Sequence, residues 1–422
     1  MNMSNTPTSG GQGFQLSQLL YDTRYRSMTI QIIALIFILL AFGWLINNTV
    51  VNLANLGKEI QFKFLGEPAG YDINQRLLDY NSQDSHLRAG FIGLLNTLLL
   101  AFLGCVTATF IGVFVGVLRL SKNWLVARVM TAYIETFRNI PVLLWIIVVF
   151  SIMIEVMDPP SAFRSGEASM LLNDSVAITN RGVYIPEPLF SRSLGDISLF
   201  GESALRFDIS LDLMAFLVVL FAGIYGAMRV KRRADKIQND TGIRPITWWQ
   251  RLALIFVPAI LVLLALGFYL GYPELKGFNF RGGTYMRNSL IALWLALSLY
   301  TAAFIAENVR AGIQAVDKGQ SEAAFALGIS QGRTMNLVVL PQALRIIIPP
   351  LISQYLNLTK NTSLAIAVGY MDMTGTLMGI TLNQTGREME TLLMGMAVYL
   401  AISLTISGVM NWYNNSVKLV ER

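Results

Sequence analysis

Eight apolar runs fix the kind of structure this chain can form: residues 28–48, 89–118, 139–154, 213–228, 252–272, 288–306, 346–370 and 391–413. A hydrocarbon core about 30 Å thick takes roughly 20 helical residues, and shorter runs are tolerated when their ends snorkel to the interface. The fold class that follows is all-α, a polytopic membrane protein with about eight transmembrane helices. Composition agrees, because only 14% of residues are charged and 54% are hydrophobic, with mean hydropathy +0.52, whereas charge makes up about a quarter of a soluble domain. The first run is followed by polar residues rather than an Ala-x-Ala cleavage pattern, so it reads as a retained helix and not a signal peptide.

Lysine and arginine orient the spans through the positive-inside rule. Arg24 and Arg26 precede the first run, and Arg119, Lys122 and Arg128 follow the second. Arg229, Lys231, Arg232, Arg233, Lys236, Arg244 and Arg251 lie between the fourth and fifth. With eight helices all of these fall on one side, joined by Arg310, Lys318, Arg333 and Lys418, which puts both termini in the cytoplasm. The other side receives the mixed-charge segment 49–87, with Glu59, Glu67, Asp72, Asp79 and Asp84, and the insert 155–212. That insert, with Pro159, Pro160, Pro186 and Pro188, reads as a folded periplasmic loop; a disordered tether is the competing reading. Residues 1–18 read as a flexible cytoplasmic tail.

The net charge of +6 and pI near 9.3 raise nucleic acid as a partner. Because the basic residues sit beside apolar spans and form no separate basic domain, none is expected; the apolar spans make membrane lipid the surrounding partner instead. One cysteine, Cys105, and one histidine, His86, exclude an intrachain disulfide and leave no Cys/His cluster for zinc. No metal or other cofactor is expected, and Cys105, inside an apolar run, reads as packing. No internal repeat is evident, which weighs against an inverted-repeat secondary transporter.

The most informative polar stretch is 319–341, G-Q-S-E-A-A-F-A-L-G-I-S-Q-G-R-T-M-N-L-V-V-L-P. Its local chemistry favours a short helix, with Ser321 as cap, Glu322 in the first turn where negative charge suits the dipole, and Gly328 as the stop. Ala323, Ala324 and Ala326 are strong helix formers whose small side chains let a partner approach the backbone. An ordinary loop helix between two spans is the plainer alternative. Glu322, Ala323, Ala324 and Gly328, followed by Val338, Leu340 and Pro341, resemble the cytoplasmic E-A-A-x-x-x-G-(nine residues)-I-x-L-P loop of ABC importer permeases. That resemblance implies a coupling helix that docks on a separate ABC ATPase subunit.

Two further blocks resemble the permease core of polar and general L-amino-acid ABC importers, the type I family. One runs from Gly93-Leu94-Leu95-Asn96-Thr97-Leu98 to Tyr133-Ile134-Glu135-Thr136-Phe137-Arg138-Asn139-Ile140-Pro141; the other, from Tyr300 to Met373, contains A-E-x-x-R-x-G-I, L-P-Q-A and K-x-T-S-L. The resemblance implies a five-helix core formed by the second, third, sixth, seventh and eighth spans, with three accessory helices. It divides the chain into a cytoplasmic tail (1–27), an accessory helix with periplasmic loop (28–88), the first part of the core (89–154), an insertion with a periplasmic segment and two accessory helices (155–286), and the second part of the core (287–422) with its coupling loop (310–341). It also implies a periplasmic amino-acid-binding protein, a second and non-identical permease subunit, and an L-amino-acid substrate of broad range. No G-x-x-x-x-G-K-[ST] phosphate loop occurs, so ATP hydrolysis is expected on another subunit, and the resemblance implies a transport subunit rather than an enzyme.

Candidate pathway residues follow from charge inside apolar runs. Lys360, with Asn361, Thr362 and Ser363, interrupts the seventh run, and an ammonium there needs a partner or an aqueous cavity. A substrate carboxylate would serve; a buried ion pair with Glu307 or Glu135 would serve equally. The family often has Asp where Asn361 stands, which argues against a substrate range limited to lysine or arginine. Glu135 and Arg138, three residues apart, suit a local pair at a cytoplasmic gate, with direct substrate contact as the lesser reading; Glu307 and Arg310 have the same spacing. Trp248 and Trp249 beside Arg251 read as an interfacial anchor rather than a partner contact. The competing class, an ion-coupled secondary transporter or channel, would need a filter or carboxylate relay within the spans, and neither is evident. A membrane scaffold or enzyme with chemistry in the insert lacks a nucleophile–base arrangement.

Overall fold

The structure, a computed structural model, describes residues 23–201 and 203–417, with side chains from Arg26 to Asn415. The expected tail over 1–18 and the basic residues Arg24 and Lys418 lie outside that description. In chain order the α-helices of nine residues or more among the described residues are α1 (Thr23–Asn55), α2 (His86–Arg119), α3 (Trp124–Asn139), α4 (Val142–Glu155), α5 (Leu211–Thr241), α6 (Trp248–Ala265), α7 (Asn288–Gln314), α8 (Lys318–Ala326), α9 (Leu340–Asn361) and α10 (Glu388–Val417). Among the described residues eight helical segments are long and apolar enough to cross a membrane, one for each expected run. The molecule is a polytopic α-helical membrane protein. α1 belongs to a compact unit of its own ending at Phe62, and its side chains are exposed along the apolar stretch.

Three runs end differently from their apolar pattern, each for a local reason. Pro141 has no N–H to donate and holds Ile140 extended, so 139–154 does not form one helix; α3 stops at Asn139 and α4 begins at Val142. α6 stops at Ala265 rather than continuing to 272, because Gly267 turns left-handed (φ +65°) and the next four residues become a strand. The run 346–370 is helical only to Asn361, then tightens into a 3₁₀ stretch Thr362–Val368 ended by Gly369 at φ +66°.

In the second unit α7 is the buried axis, packed on α2, α4 and α9. Without water between them, spanning helices associate through close van der Waals packing at small residues. α2 supplies these every fourth position, at Gly104, Ala108, Gly112 and Gly116. A Cβ on Gly112 would lie 2.6 Å from Ile305 Cβ, and one on Gly116 would lie 2.7 Å from the Ala306 carbonyl oxygen. Gly312 does the same for α9, where a Cβ would meet Ile347 Cγ1 at 2.3 Å.

The insert is folded, as expected over a tether, but it shares its fold with residues beyond the fifth span. β1 (Ala177–Thr179) and β2 (Gly182–Ile185) form an antiparallel sheet with β9 (Thr284–Arg287). β3 (Glu187–Phe190) pairs with β6 (Phe268–Gly271), β4 (Asp196–Leu199) with β5 (Phe207–Ser210), and β7 (Glu274–Lys276) with β8 (Asn279–Arg281). Arg88, buried at the start of α2, ties this layer to the bundle. It donates to the carbonyls of Arg206 and, at 2.6 Å, Asp79, while Arg206 pairs with Asp84 at 3.1 Å. In the same region Tyr71 bonds Thr381 at 3.1 Å, and burial pushes its hydroxyl up to about 12 against that bond, so it stays protonated near neutrality.

Candidate functional site

The helix expected near Glu322 is present as α8, but it starts earlier. Asp317, not Ser321, caps it, accepting from the Gly319 N–H at 2.6 Å, so Glu322 sits in the middle of the helix rather than its first turn. An aspartate four residues ahead already caps the free N–H groups that Ser321 would have served. The stop is as expected: Gly328 has φ +76°, its N–H bonds Phe325 O at 2.9 Å, and Ile329 N–H bonds Ala324 O at 3.1 Å. Ala324 faces inward and is buried. Glu322 and Ala323 are exposed, and so are Phe325 and, at 80%, Leu327. The helix thus presents one acidic and two large apolar side chains outward, an arrangement that costs solvation unless something covers it. Behind it, Pro341 deprives the helix of a donor, and the preceding turn widens to a π-helical stretch, Met335–Val339. Arg333 is exposed with no ion pair among the described residues.

Packed along α7, the Y-I-E-T-F-R-N-I-P segment proves to be a seam. Tyr133 donates to the Leu299 carbonyl at 2.6 Å, Ile134 is fully buried, and Phe137 stacks on Trp145 with centroids 4.2 Å apart. Glu135 and Arg138 do not form the expected local pair. Glu135 turns to Arg119 at 4.0 Å, and Arg138 lies over the Phe304 ring at 5.4 Å. Arg119 is the residue that sequence reading counted only as topology. It also bonds Glu307, whose other oxygen receives Arg310 at 2.5 Å, the pair expected from their spacing. One carboxylate therefore holds two guanidiniums and joins the end of α2 to α7, with Glu135 of α3 alongside.

Lys360 is exposed in the last turn of α9 and forms no ion pair among the described residues. Its proposed structural partners are engaged elsewhere, Glu307 by Arg119 and Arg310 and Glu135 by Arg119, so the buried ion-pair alternative fails. Thr359, one residue earlier, lines an apolar cavity of about 680 Å³ between α2, α9 and α10. Asn361 is half-buried; Thr362 is fully buried and donates to Thr359 O at 2.8 Å, and Ser363 donates to Lys360 O at 2.8 Å.

Beside these lies a polar cluster that sequence reading missed. Asp372 is fully buried, with one oxygen receiving Gly375 N–H at 2.9 Å and the other the Tyr399 hydroxyl at 3.0 Å. Tyr399 also contacts Thr374 at 3.1 Å and Thr362 at 3.5 Å, linking α10 to the breaks on either side of Gly369. The same segment is fixed to α2 by the Asn96-Thr97 pair. Asn96 donates to Met371 O at 2.8 Å and Gln75 O at 2.7 Å, and Thr97 receives Met373 N–H at 3.0 Å. The available signal was an acid two residues past the end of the seventh apolar run.

Eight helices long and apolar enough to span a membrane, with an exposed helix in a loop between two of them, define a polytopic membrane protein. Residues 108–419 match the family described as the binding-protein-dependent transport system inner membrane component, and this chain belongs to that family. It is 55% identical, over 97% of its length and 98% of the relative's, to the glutamate/glutamine/aspartate/asparagine transport system permease protein BztB of Rhodobacter capsulatus. The general L-amino acid transport system permease protein AapQ of Rhizobium johnstonii is 41% identical over 98% of this chain and 97% of its own. The putative amino-acid ABC transporter permease protein YhdX of Escherichia coli is 44% identical over 94% and 95%.

Proposed function

We infer that this chain moves L-amino acids inward across the inner membrane, as the permease subunit of an ABC importer. The observation that carries the reading is α8: an exposed helix with Glu322, Ala323 and Ala324 ahead of a left-handed Gly328, within a chain of this family. ATP is hydrolysed by a separate ATPase subunit that docks on α8, substrate arrives on a soluble binding protein, and a second, non-identical permease completes the membrane pathway. The basic turns and α8 face the cytoplasm, and the strand layer faces the periplasm. Full-length similarity to relatives named for several amino acids supports a broad range that includes acidic and amide side chains.

Lys360, with Asn361, Thr362 and Ser363, offers the pathway an uncommitted ammonium next to hydroxyl groups, suited to a carboxylate that every amino acid shares. The Arg119–Glu307–Glu135 seam lies at the α8 end of α7 and ties the helices that would move together. In proteoliposomes with the ATPase, the second permease and the binding protein, labelled glutamate and glutamine should accumulate only with ATP. Uptake driven by an ion gradient without ATP would instead support a secondary transporter.

A further inference from the structure

The hairpin α5–α6 encloses a cavity of its own. A Cβ on Gly223 would lie 2.4 Å from the Leu254 carbonyl oxygen, so the helices touch backbone to backbone there. One turn on, a Cβ on Gly226 would meet only the end of the Leu254 side chain, at 3.8 Å. The space beyond is a cavity of about 360 Å³. Ile224, Met228 and Ile255 line its apolar part, and Lys231, Trp248 and Arg251 line its polar end. The change from apolar to cationic lining coincides with the end of the apolar run 213–228 and the first turn of α6. That is the depth at which a bilayer passes from acyl chains to headgroups.

The two cations are uncommitted. Among the described residues neither Lys231 nor Arg251 has an acidic partner, whereas Arg229 covers the Tyr225 ring and donates to its hydroxyl at 3.0 Å, and Arg244 pairs with Asp235 at 2.8 Å. Lysine and arginine at one end of an apolar slot complement a ligand that is anionic at one end and aliphatic at the other. An indole at the boundary suits the glycerol region between them. A free phosphate would leave the apolar lining unused, and a zwitterionic lipid would bring its own cation to the same place. We propose that the α5–α6 cavity binds one anionic phospholipid, its phosphodiester between Lys231 and Arg251 and an acyl chain against Ile224, Met228 and Ile255.

The test uses the purified transporter assembly in nanodiscs of phosphatidylcholine with a minor fraction of phosphatidylglycerol, followed by detergent exchange and mass spectrometry of retained lipid. Wild type should retain phosphatidylglycerol selectively. Removing both cations in Lys231→Gln/Arg251→Gln should weaken retention about 25-fold, about fivefold for each charge. Met228→Trp keeps both charges but fills the slot and should also expel the lipid. Arg232→Gln/Arg233→Gln removes equal charge outside the cavity and should leave retention unchanged. Equal loss in that control, retention of phosphatidylcholine as strong as of phosphatidylglycerol, or displacement by the chain-free headgroup glycerophosphoglycerol at matching concentration would each overturn the site.

Discussion

Glu322 and Gly328 act differently although they share one short helix. The Glu322 side chain is exposed with no ion pair among the described residues, so Glu322→Lys should leave the fold intact and reverse a charge at the surface proposed for the ATPase; co-purified ATPase and uptake should both fall at least tenfold. Gly328 has open space beside it, so its constraint is its backbone: a β-branched residue at φ +76° is strained by about 1–2 kcal/mol, and Gly328→Val should unwind the end of α8 with a similar loss. Normal ATPase retention in both variants would remove the coupling role. For Lys360, Lys360→Met keeps the aliphatic stem and deletes the ammonium. If the shared carboxylate is the target, uptake of acidic, neutral and basic amino acids should fall alike at matched membrane abundance; selective loss for acidic substrates would place Lys360 on the side chain instead. Sequence made Lys360 visible because a charge inside an apolar run is rare. It concealed the partners of Glu135 and Arg138, since spacing shows only which residues are able to meet on one helix, while Arg119 and Phe304 come from other helices.

At the scale of elements, helix existence was legible and helix endings were less so. Apolar length alone located all eight spans, because lipid imposes that length on every one. The early stop of α6 depended on Gly267 and on a strand partner, β3, nearly 80 residues upstream, which local pattern does not encode. The small-residue stripe on α2 was legible in principle, four positions at fixed spacing, yet its meaning requires knowing that α7 is the facing helix. It supports a stability prediction. Gly312→Ala must push a methyl into Ile347 and crowd the Ala343 carbonyl, whereas Gly408→Ala meets nothing within 4 Å. Overpacking of this kind costs about 1–3 kcal/mol, so Gly312→Ala should lower the Tm of the detergent-purified assembly while Gly408→Ala leaves it unchanged or slightly raised. Equal Tm values would mean that α7 and α9 separate easily at Gly312.

The unit that makes up most of the molecule, from Lys63 onward, has two unlike ends, and α7 measures the distance between them. Its 27 residues span about 40 Å, enough to cross a bilayer. β9 runs directly into its first residue, and α8 follows its last, so the strand layer and the proposed coupling helix must open on opposite sides. The α5–α6 turn, with Arg229 to Arg251, joins the ends of those helices that lie away from the strands, which is the side of α8. The positive-inside rule predicts that this side is cytoplasmic. Because Cys105 is the one cysteine, Cys105→Ala gives a clean background for reporters at exposed positions. In that background a membrane-impermeant maleimide should label Ser169→Cys in intact spheroplasts and Ser330→Cys only in inside-out vesicles. Labelling of both from one side would contradict the spanning of α7, and the reverse pattern would place α8 outside the cell, where no ATPase could reach it.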